Sequence, residues 1–85
     1  MKISVKYFAA LREAVGTAQE QLDLPADVTT VGGVRELLRA RGGAWLEALA
    51  PERAVRMAHN QVMCGADTPI NEGAEVAFFP PVTGG

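Results

Sequence analysis

The chain has 85 residues, a hydrophobic content of 48% and a formal net charge of −2 at pH 7. This length indicates one domain over residues 1–85 with one modest core, and the scattered basic residues argue against a nucleic-acid partner. No apolar run approaches the roughly 20 residues of a membrane span, and the single cysteine, Cys64, forms no internal disulfide, so we expect a cytoplasmic protein with no membrane contact.

Two strands joined by a helical turn are predicted at the start. The stretch MKISVKYF alternates, with Ile3, Val5 and Tyr7 on one side, as in a half-buried strand. The stretch ALREAVG then predicts a short helix with Gly16 at its C-cap. EQLDL alternates again and ends at Pro25. We expect the two strands to pair across the short helix.

The main helix is predicted over TTVGGVRELLRARGG, where four apolar residues recur at helical spacing: Val31, Val34, Leu37 and Leu38. Thr29 or Thr30 can cap its start, and Gly42 can end it. Gly32 and Gly33 in the first turn each cost about 1 kcal/mol relative to alanine, and the sequence gives no reason for them.

The second half of the sequence predicts a short helix or ordered loop followed by short strands. AWLEALAPER predicts a short helix or ordered loop with Trp45, Leu46 and Leu49 turned inward. AVRMA and QVMC predict two short strands around a tight turn at His59 and Asn60, and AEVAFF predicts the last strand. This order of elements indicates an α+β domain, with a mixed sheet curled over one principal helix.

Two aromatic residues fall on the side of their strands that should face water. Phe8 shares its face with Lys6, and Phe79 shares its face with Glu75. If the first and last strands are neighbours, both rings stand on the outer side of the sheet near one end, which is typical of a partner site. That apolar patch continues into the residues after the strand: Pro80, Pro81 and Val82. The alternative is a strand end that curls inward and buries both rings.

The chain ends in FFPPVTGG, which we interpret as an extended tail over residues 80–85. Pro80 and Pro81 stop the strand and stiffen the exit of the chain, whereas Gly84 and Gly85 can thread a narrow channel. The terminal carboxylate can be activated as an acyl-adenylate and converted to a thioester, thiocarboxylate or amide. The alternative is a frayed terminus without a role.

Three stretches carry a resemblance to a known family: NEGAEVAFFPPVTGG at residues 71–85, KYFAALREAVG and HNQVM. The chain resembles the molybdopterin synthase small-subunit (MoaD) family, within the MoaD/ThiS ubiquitin-like group of sulfur carriers. The resemblance implies a ubiquitin-like β-grasp fold. It also implies that an E1-like adenylyltransferase uses ATP to adenylate the Gly85 carboxylate, and that a sulfur donor then forms a thiocarboxylate.

The resemblance further implies that the Gly85 thiocarboxylate gives its sulfur to cyclic pyranopterin monophosphate in the large synthase subunit. The dithiolene of molybdopterin needs two sulfurs, so two carriers are spent for each product. The resemblance also implies a heterotetramer, with a carrier at each end of a large-subunit dimer. The carrier itself binds no cofactor or metal, and it completes the sulfurtransferase site without catalysing alone. Gly85, with Gly84, carries the chemistry. The implied partner-binding residues are Phe8, Arg12, Met63, Phe79, Pro80, Pro81, Val82 and Thr83.

The remaining residues point to little other chemistry. Cys64 has no nearby histidine or basic cluster to activate its thiol, so we interpret it as a strand residue. His59 lacks the ligand spacing of a metal site, so we expect it to be exposed at its turn. Trp45 is interpreted as a core residue.

Other functions stay open on the sequence. A sulfur carrier for thiamin thiazole synthesis or tRNA thiolation shares the fold and the terminal glycines. A ubiquitin-like protein modifier also does, although only Lys2 and Lys6 could accept further copies. A plain interaction module with an idle tail is a third alternative.

Overall fold

A computed structural model describes residues 1–81 of the chain. The elements are β1 (Lys2–Tyr7), α1 (Ala9–Val15), β2 (Gln19–Asp23), α2 (Val31–Arg39), α3 (Gly43–Ala48), β3 (Arg56–His59), β4 (Val62–Cys64) and β5 (Glu75–Phe79). The sheet order is β2-β1-β5-β3-β4, in which β1 and β5 are parallel and the other neighbours antiparallel. The first and last strands therefore lie side by side, and the predicted α+β, ubiquitin-like β-grasp fold is confirmed.

The core lies between one face of the sheet and the helices. The alternation predicted in β1 is confirmed, because Ile3, Val5 and Tyr7 are buried while the residues between them are not. The rest of the core cluster comes from α1, α2, β5 and the connecting segments: Leu11, Leu24, Val31, Val34, Leu38, Leu49, Ile70, Ala74, Val76 and Phe78. Burial of these apolar side chains is the main stabilising contribution, at about 25 cal/mol per Å².

The start of α2 is capped as predicted, whereas its end differs. The Thr30 hydroxyl accepts a hydrogen bond from the Gly33 N–H at 3.1 Å. The helix ends at Arg39, with Ala40 as the C-cap, so the prediction that Gly42 ends it was wrong. The Gly42 N–H bonds to the Arg39 carbonyl at 3.0 Å, which closes the last turn, and Gly42 then serves as the N-cap of α3.

A loop that packs on the first turn of α2 explains Gly32, the first of the two glycines there. The N–H groups of Val31 and Gly32 donate to the carbonyls of Thr68 and Ala66 at 3.0 and 2.9 Å. A Cβ on Gly32 would stand 2.8 Å from the Ala66 Cβ. The helix therefore needs a glycine at this position, because the loop approaches its backbone too closely for a side chain.

Two local predictions in the second half were wrong. Leu46 was expected to point inward, but it is 48% exposed because α3 turns Trp45 and Leu49 toward the core instead. His59 was expected to be exposed in a turn, but it ends β3 and is half-buried. The turn lies one residue later, at Asn60 and Gln61, which both have the positive φ of a type I′ turn.

Within residues 1–81, none of the helices is long and apolar enough to cross a bilayer.

Candidate functional site

The outer face of the sheet carries a row of small and apolar side chains. The register places Ala77 of β5 beside Ala58 of β3, and Ala58 beside Met63 of β4. The two alanines are 6% and 7% exposed even though they face away from the helices. Neighbouring side chains therefore cover most of the surface of the two alanines.

Phe8 and Phe79 lie together beside this row, two residues beyond Ala77 along β5. Phe8 keeps an extended backbone after β1, and its N–H donates to the Phe78 carbonyl at 3.2 Å, which prolongs the pairing with β5. The two ring centroids are 6.3 Å apart with the planes at 87°, an edge-to-face contact. The Phe8 ring is 45% exposed and Phe79 is half-buried, so the strand end does not curl inward and bury both rings.

Met63 and a set of charges complete the face. The Met63 side chain is 52% exposed on the edge strand β4. Lys6 and Glu75 form an ion pair of 3.2 Å beside the alanines, and Arg56 stands opposite Phe79 in the β3–β5 register. Charged groups thus border an apolar centre, which is the usual anatomy of a protein–protein interface. We call the surface of Phe8, Phe79, Ala77, Ala58 and Met63 the outer apolar face.

Arg12 lies near this face but belongs to α1. It is exposed, and its N–H donates to the Phe8 carbonyl at 3.3 Å, so it sits one helical turn after Phe8.

The root of the tail adjoins the outer apolar face. Pro80 and Pro81 follow Phe79 directly and are half-buried. The other predicted tail residues lie outside the described residues: Val82, Thr83, Gly84 and Gly85. The structure therefore brings the predicted docking residues Phe8 and Phe79 to the point where the tail begins.

The described residues present no metal site. Within residues 1–81, no group of three or more His, Cys, Asp or Glu side chains is placed to hold a metal ion. Cys64 is a half-buried residue at the end of β4, opposite Met57.

One polar cluster was not foreseen from the sequence. The Tyr7 hydroxyl donates a hydrogen bond to the Glu20 carboxylate at 2.8 Å. The Arg41 guanidinium donates two more to the same carboxylate, at 2.8 and 3.0 Å. The Arg41 guanidinium also stacks on the Trp45 ring, 4.4 Å from its centroid. Its hydrogen bonds hold the pKa of Glu20 below the ordinary value, while burial, helped by Glu20, raises the pKa of Tyr7. The cluster ties β1 and β2 to the connection between α2 and α3.

The chain is similar in sequence and in structure to known proteins. A model of the ThiS family matches residues 5–85. Molybdopterin synthase sulfur carrier subunits of Escherichia coli K12 and Haemophilus influenzae Rd are 42% and 37% identical over 83 residues, which is 98% of this chain and 99% of each relative. The crystal structure of SAMP1, a small archaeal modifier protein of Haloferax volcanii, matches with a TM-score of 0.82 and 26% identity over 100% of both chains.

Proposed function

The chain belongs to the ThiS family, and on that premise we propose that it is the sulfur carrier subunit of a molybdopterin synthase. The observation that carries the proposal is the outer apolar face beside the root of the tail, in a chain whose full-length relatives are named as such carriers. A carrier needs a face that docks on its enzymes and a terminus that reaches into their active sites.

The chemistry of the proposal takes place at Gly85. An E1-like enzyme adenylates the carboxylate when a carboxylate oxygen attacks the α-phosphate of ATP and pyrophosphate leaves. A sulfur donor then displaces AMP, which leaves a terminal thiocarboxylate. The nucleotide is consumed on the partner enzyme, and the carrier binds no cofactor of its own.

The transfer step also belongs to a partner in this proposal. The large synthase subunit binds cyclic pyranopterin monophosphate and receives the tail of the carrier. The thiocarboxylate sulfur bonds to a side-chain carbon of the pterin, from which an oxygen substituent leaves. Water then cleaves the resulting thioester, so that the sulfur stays on the pterin and Gly85 returns as a carboxylate. Because a dithiolene holds two sulfurs, two carriers are spent for each product. By analogy with the family, the proposed assembly is a heterotetramer with one carrier at each end of a large-subunit dimer.

In this proposal the partner enzymes carry the catalytic groups, so the carrier needs only a docking face and a tail. Phe8, Phe79 and Met63 dock on the large subunit, and Arg12 adds a polar contact at the rim. Pro80 and Pro81 set the exit direction, and Val82, Thr83 and Gly84 lead Gly85 into the partner. The partners supply the acids, bases and nucleotide site.

The test installs a thiocarboxylate at Gly85 and mixes this protein with a molybdopterin synthase large subunit and cyclic pyranopterin monophosphate. We expect a dithiolene product, and we expect none from a matched protein that lacks Gly85. An intact, unspent thiocarboxylate would contradict the proposal. The thiazole-forming and tRNA-thiolating enzymes would then be assayed with the same protein.

The likeness to SAMP1 favours one second candidate, a protein modifier joined to lysines through Gly85. The chain has only Lys2 and Lys6 as internal acceptors, and both lie in β1 within ion-pair distance of acidic residues, at 4.0 and 3.2 Å. This arrangement disfavours polymeric conjugates. Mass spectrometry of cellular proteins for Gly-Gly remnants derived from this terminus would separate a modifier from a carrier.

A further inference from the structure

The charges on the outer side of the sheet are largely neutralised in pairs. Lys2 of β1 lies 4.0 Å from Asp23 of β2, and Lys6 of β1 lies 3.2 Å from Glu75 of β5, measured from the ammonium nitrogen to a carboxylate oxygen. The strand registers place these side chains on the same side as Ala77, away from the helices. A partner that covers this part of the sheet therefore meets no excess of either charge.

Arg56 is the exception among the outward-facing strand residues within 1–81. It begins β3, is exposed, and shares its side of the strand with Ala58 two residues later. Within residues 1–81, no carboxylate oxygen lies within 4.0 Å of its guanidinium. Glu75 is on the same side, but it lies four residues before Phe79, the residue opposite Arg56, which is about 13 Å along β5. The described strands therefore carry one unneutralised positive charge on this side, although the net charge of the chain is −2.

This unneutralised charge lies next to the aromatic pair of the outer apolar face. Arg56 and Phe79 are directly opposite in the antiparallel register, and the Cβ atoms of such cross-strand neighbours are about 5 Å apart. The Phe79 ring is half-buried and packs edge-to-face against the ring of Phe8. A partner that covers Phe79 therefore also removes water from around Arg56.

A guanidinium that loses its water is destabilising unless another acceptor replaces that water. The best replacement is a carboxylate, because its two oxygens accept two parallel N–H bonds from the planar guanidinium. Arg41 and Glu20 form such a pair within this protein, with bonds of 2.8 and 3.0 Å. Lys6 needs no acid from a partner, since Glu75 already pairs with it. The need for an acidic group on the partner therefore falls at one position, opposite Arg56.

From these observations we propose that Arg56 is a specificity-determining residue of the docking surface, and that it selects a partner with an aspartate or glutamate opposite it. When Phe79 is covered, that carboxylate accepts two hydrogen bonds from the Arg56 guanidinium. A partner with an apolar or a basic residue at this place leaves the charge unpaired or repels it, and binds more weakly. This inference rests on the proposed function, because it takes the outer apolar face as the surface that meets the large synthase subunit.

The first test measures the binding of the parent protein and of Arg56→Gln to a molybdopterin synthase large subunit by calorimetric titration. We expect the variant to bind about ten-fold more weakly in low salt, and the difference to narrow in about 0.5 M salt. Arg56→Lys keeps the charge without the planar fork, so it should recover part of the loss. Arg53→Gln is the matched control: Arg53 pairs with Glu47 of α3 at 3.6 Å on the helix side, so its variant should bind like the parent.

The outcomes of this titration separate the inference from the proposed function. If the parent binds and Arg56→Gln has the same affinity as Arg53→Gln, the role of Arg56 is overturned and the proposed function stands. If the parent does not bind the large subunit at all, the proposed function is overturned, and this inference with it.

The second test identifies the acid on the partner. Arg56→Glu should bind more weakly than Arg56→Gln, because it places two carboxylates opposite each other. Exposed aspartates and glutamates of the large subunit are then changed to lysine one at a time. We expect one of these changes to strengthen the binding of Arg56→Glu about ten-fold or more while it weakens the binding of the parent. If every such change fails to restore binding, a carboxylate is not the group that Arg56 recognises.

Discussion

Phe79 lies between the outer apolar face and the tail, and its half-buried ring packs edge-to-face against the exposed ring of Phe8. Aromatic side chains at the centre of an interface commonly carry much of its binding free energy. We expect Phe79→Ala to weaken binding to a molybdopterin synthase large subunit by about 2 kcal/mol or more, measured by calorimetric titration.

Leu46→Ala is the control for this measurement. Leu46 is 48% exposed, but it lies on α3, away from the outer apolar face, so its truncation should leave affinity unchanged. Equal losses in the two variants, or an unchanged affinity for Phe79→Ala, would contradict the assignment of the docking face.

Glu20 shows how a single side chain makes stability depend on pH. Hydrogen bonds from Arg41, and a further one from the Tyr7 hydroxyl, hold the folded-state pKa of Glu20 below its ordinary value of 4.5. A lowered folded-state pKa means that the stabilisation is complete above the unfolded pKa. It is then lost as the pH falls through the folded value.

The prediction compares the parent protein with Glu20→Gln, which keeps an acceptor for Tyr7 but lacks the charge. We expect the variant to be less stable by about 1 kcal/mol at pH 7, a figure that allows for the partial solvent exposure of the pair. The difference should shrink as the pH falls from 7 through the lowered folded-state pKa of Glu20. Urea denaturation across this range measures it, and a difference that does not change with pH would refute the mechanism. Glu13→Gln, at an exposed position of α1, serves as the control.

Among the elements, α2 shows a conflict between local propensity and tertiary contact. An alanine gains about 1 kcal/mol over a glycine inside a helix. At position 32, however, its Cβ would meet the Ala66 Cβ at 2.8 Å and the Ala66 carbonyl oxygen at 3.0 Å. The carbonyl also accepts the Gly32 hydrogen bond, so the loop cannot withdraw without losing that bond.

We therefore expect Gly32→Ala to lower the free energy of unfolding by about 1 kcal/mol, despite its better helix propensity. Gly33→Ala is the matched control, since its Cβ meets only side-chain atoms at 3.2 and 3.4 Å as nearest neighbours. It should lie within about 0.5 kcal/mol of the parent. Urea denaturation of both variants decides the matter, and a Gly32→Ala protein at least as stable as the parent would contradict the packing argument.

The elements were predictable from the sequence where the pattern is local. Alternation located β1 and β5 and marked Phe8 and Phe79, and it succeeded because successive side chains of a strand point to opposite faces of the sheet. The resemblance to the carrier family added Met63 and Arg12 to the partner-binding residues. That these residues bind a partner stays a prediction.

Features that depend on distant residues were not predictable. Leu46 was placed wrongly because α3 has only six residues, too few to define a helical stripe. The contact between Gly32 and Ala66 and the pairing of Glu20 with Arg41 join residues that no spacing rule connects.

In the molecule as a whole, local stability should follow the sheet order. β1 and β5 are flanked by strands on both sides, whereas β4 is a three-residue edge strand. We expect amide hydrogens of β1 and β5 to exchange with solvent last and those of β4 and α3 to exchange early. Hydrogen exchange followed by mass spectrometry tests this order. Protection of β4 equal to that of β5 would contradict it.

The parallel pairing of β1 with β5 also has a mechanical consequence. A force that pulls the end of β5 away from the start of β1 acts along both strands and shears them past one another. The hydrogen bonds between them, from Ser4 N–H to Ala74 O at one end to Phe8 N–H to Phe78 O at the other, then bear the load together and do not open one at a time. A pull on the tail along the axis of β5 therefore acts in a direction in which the fold resists extension.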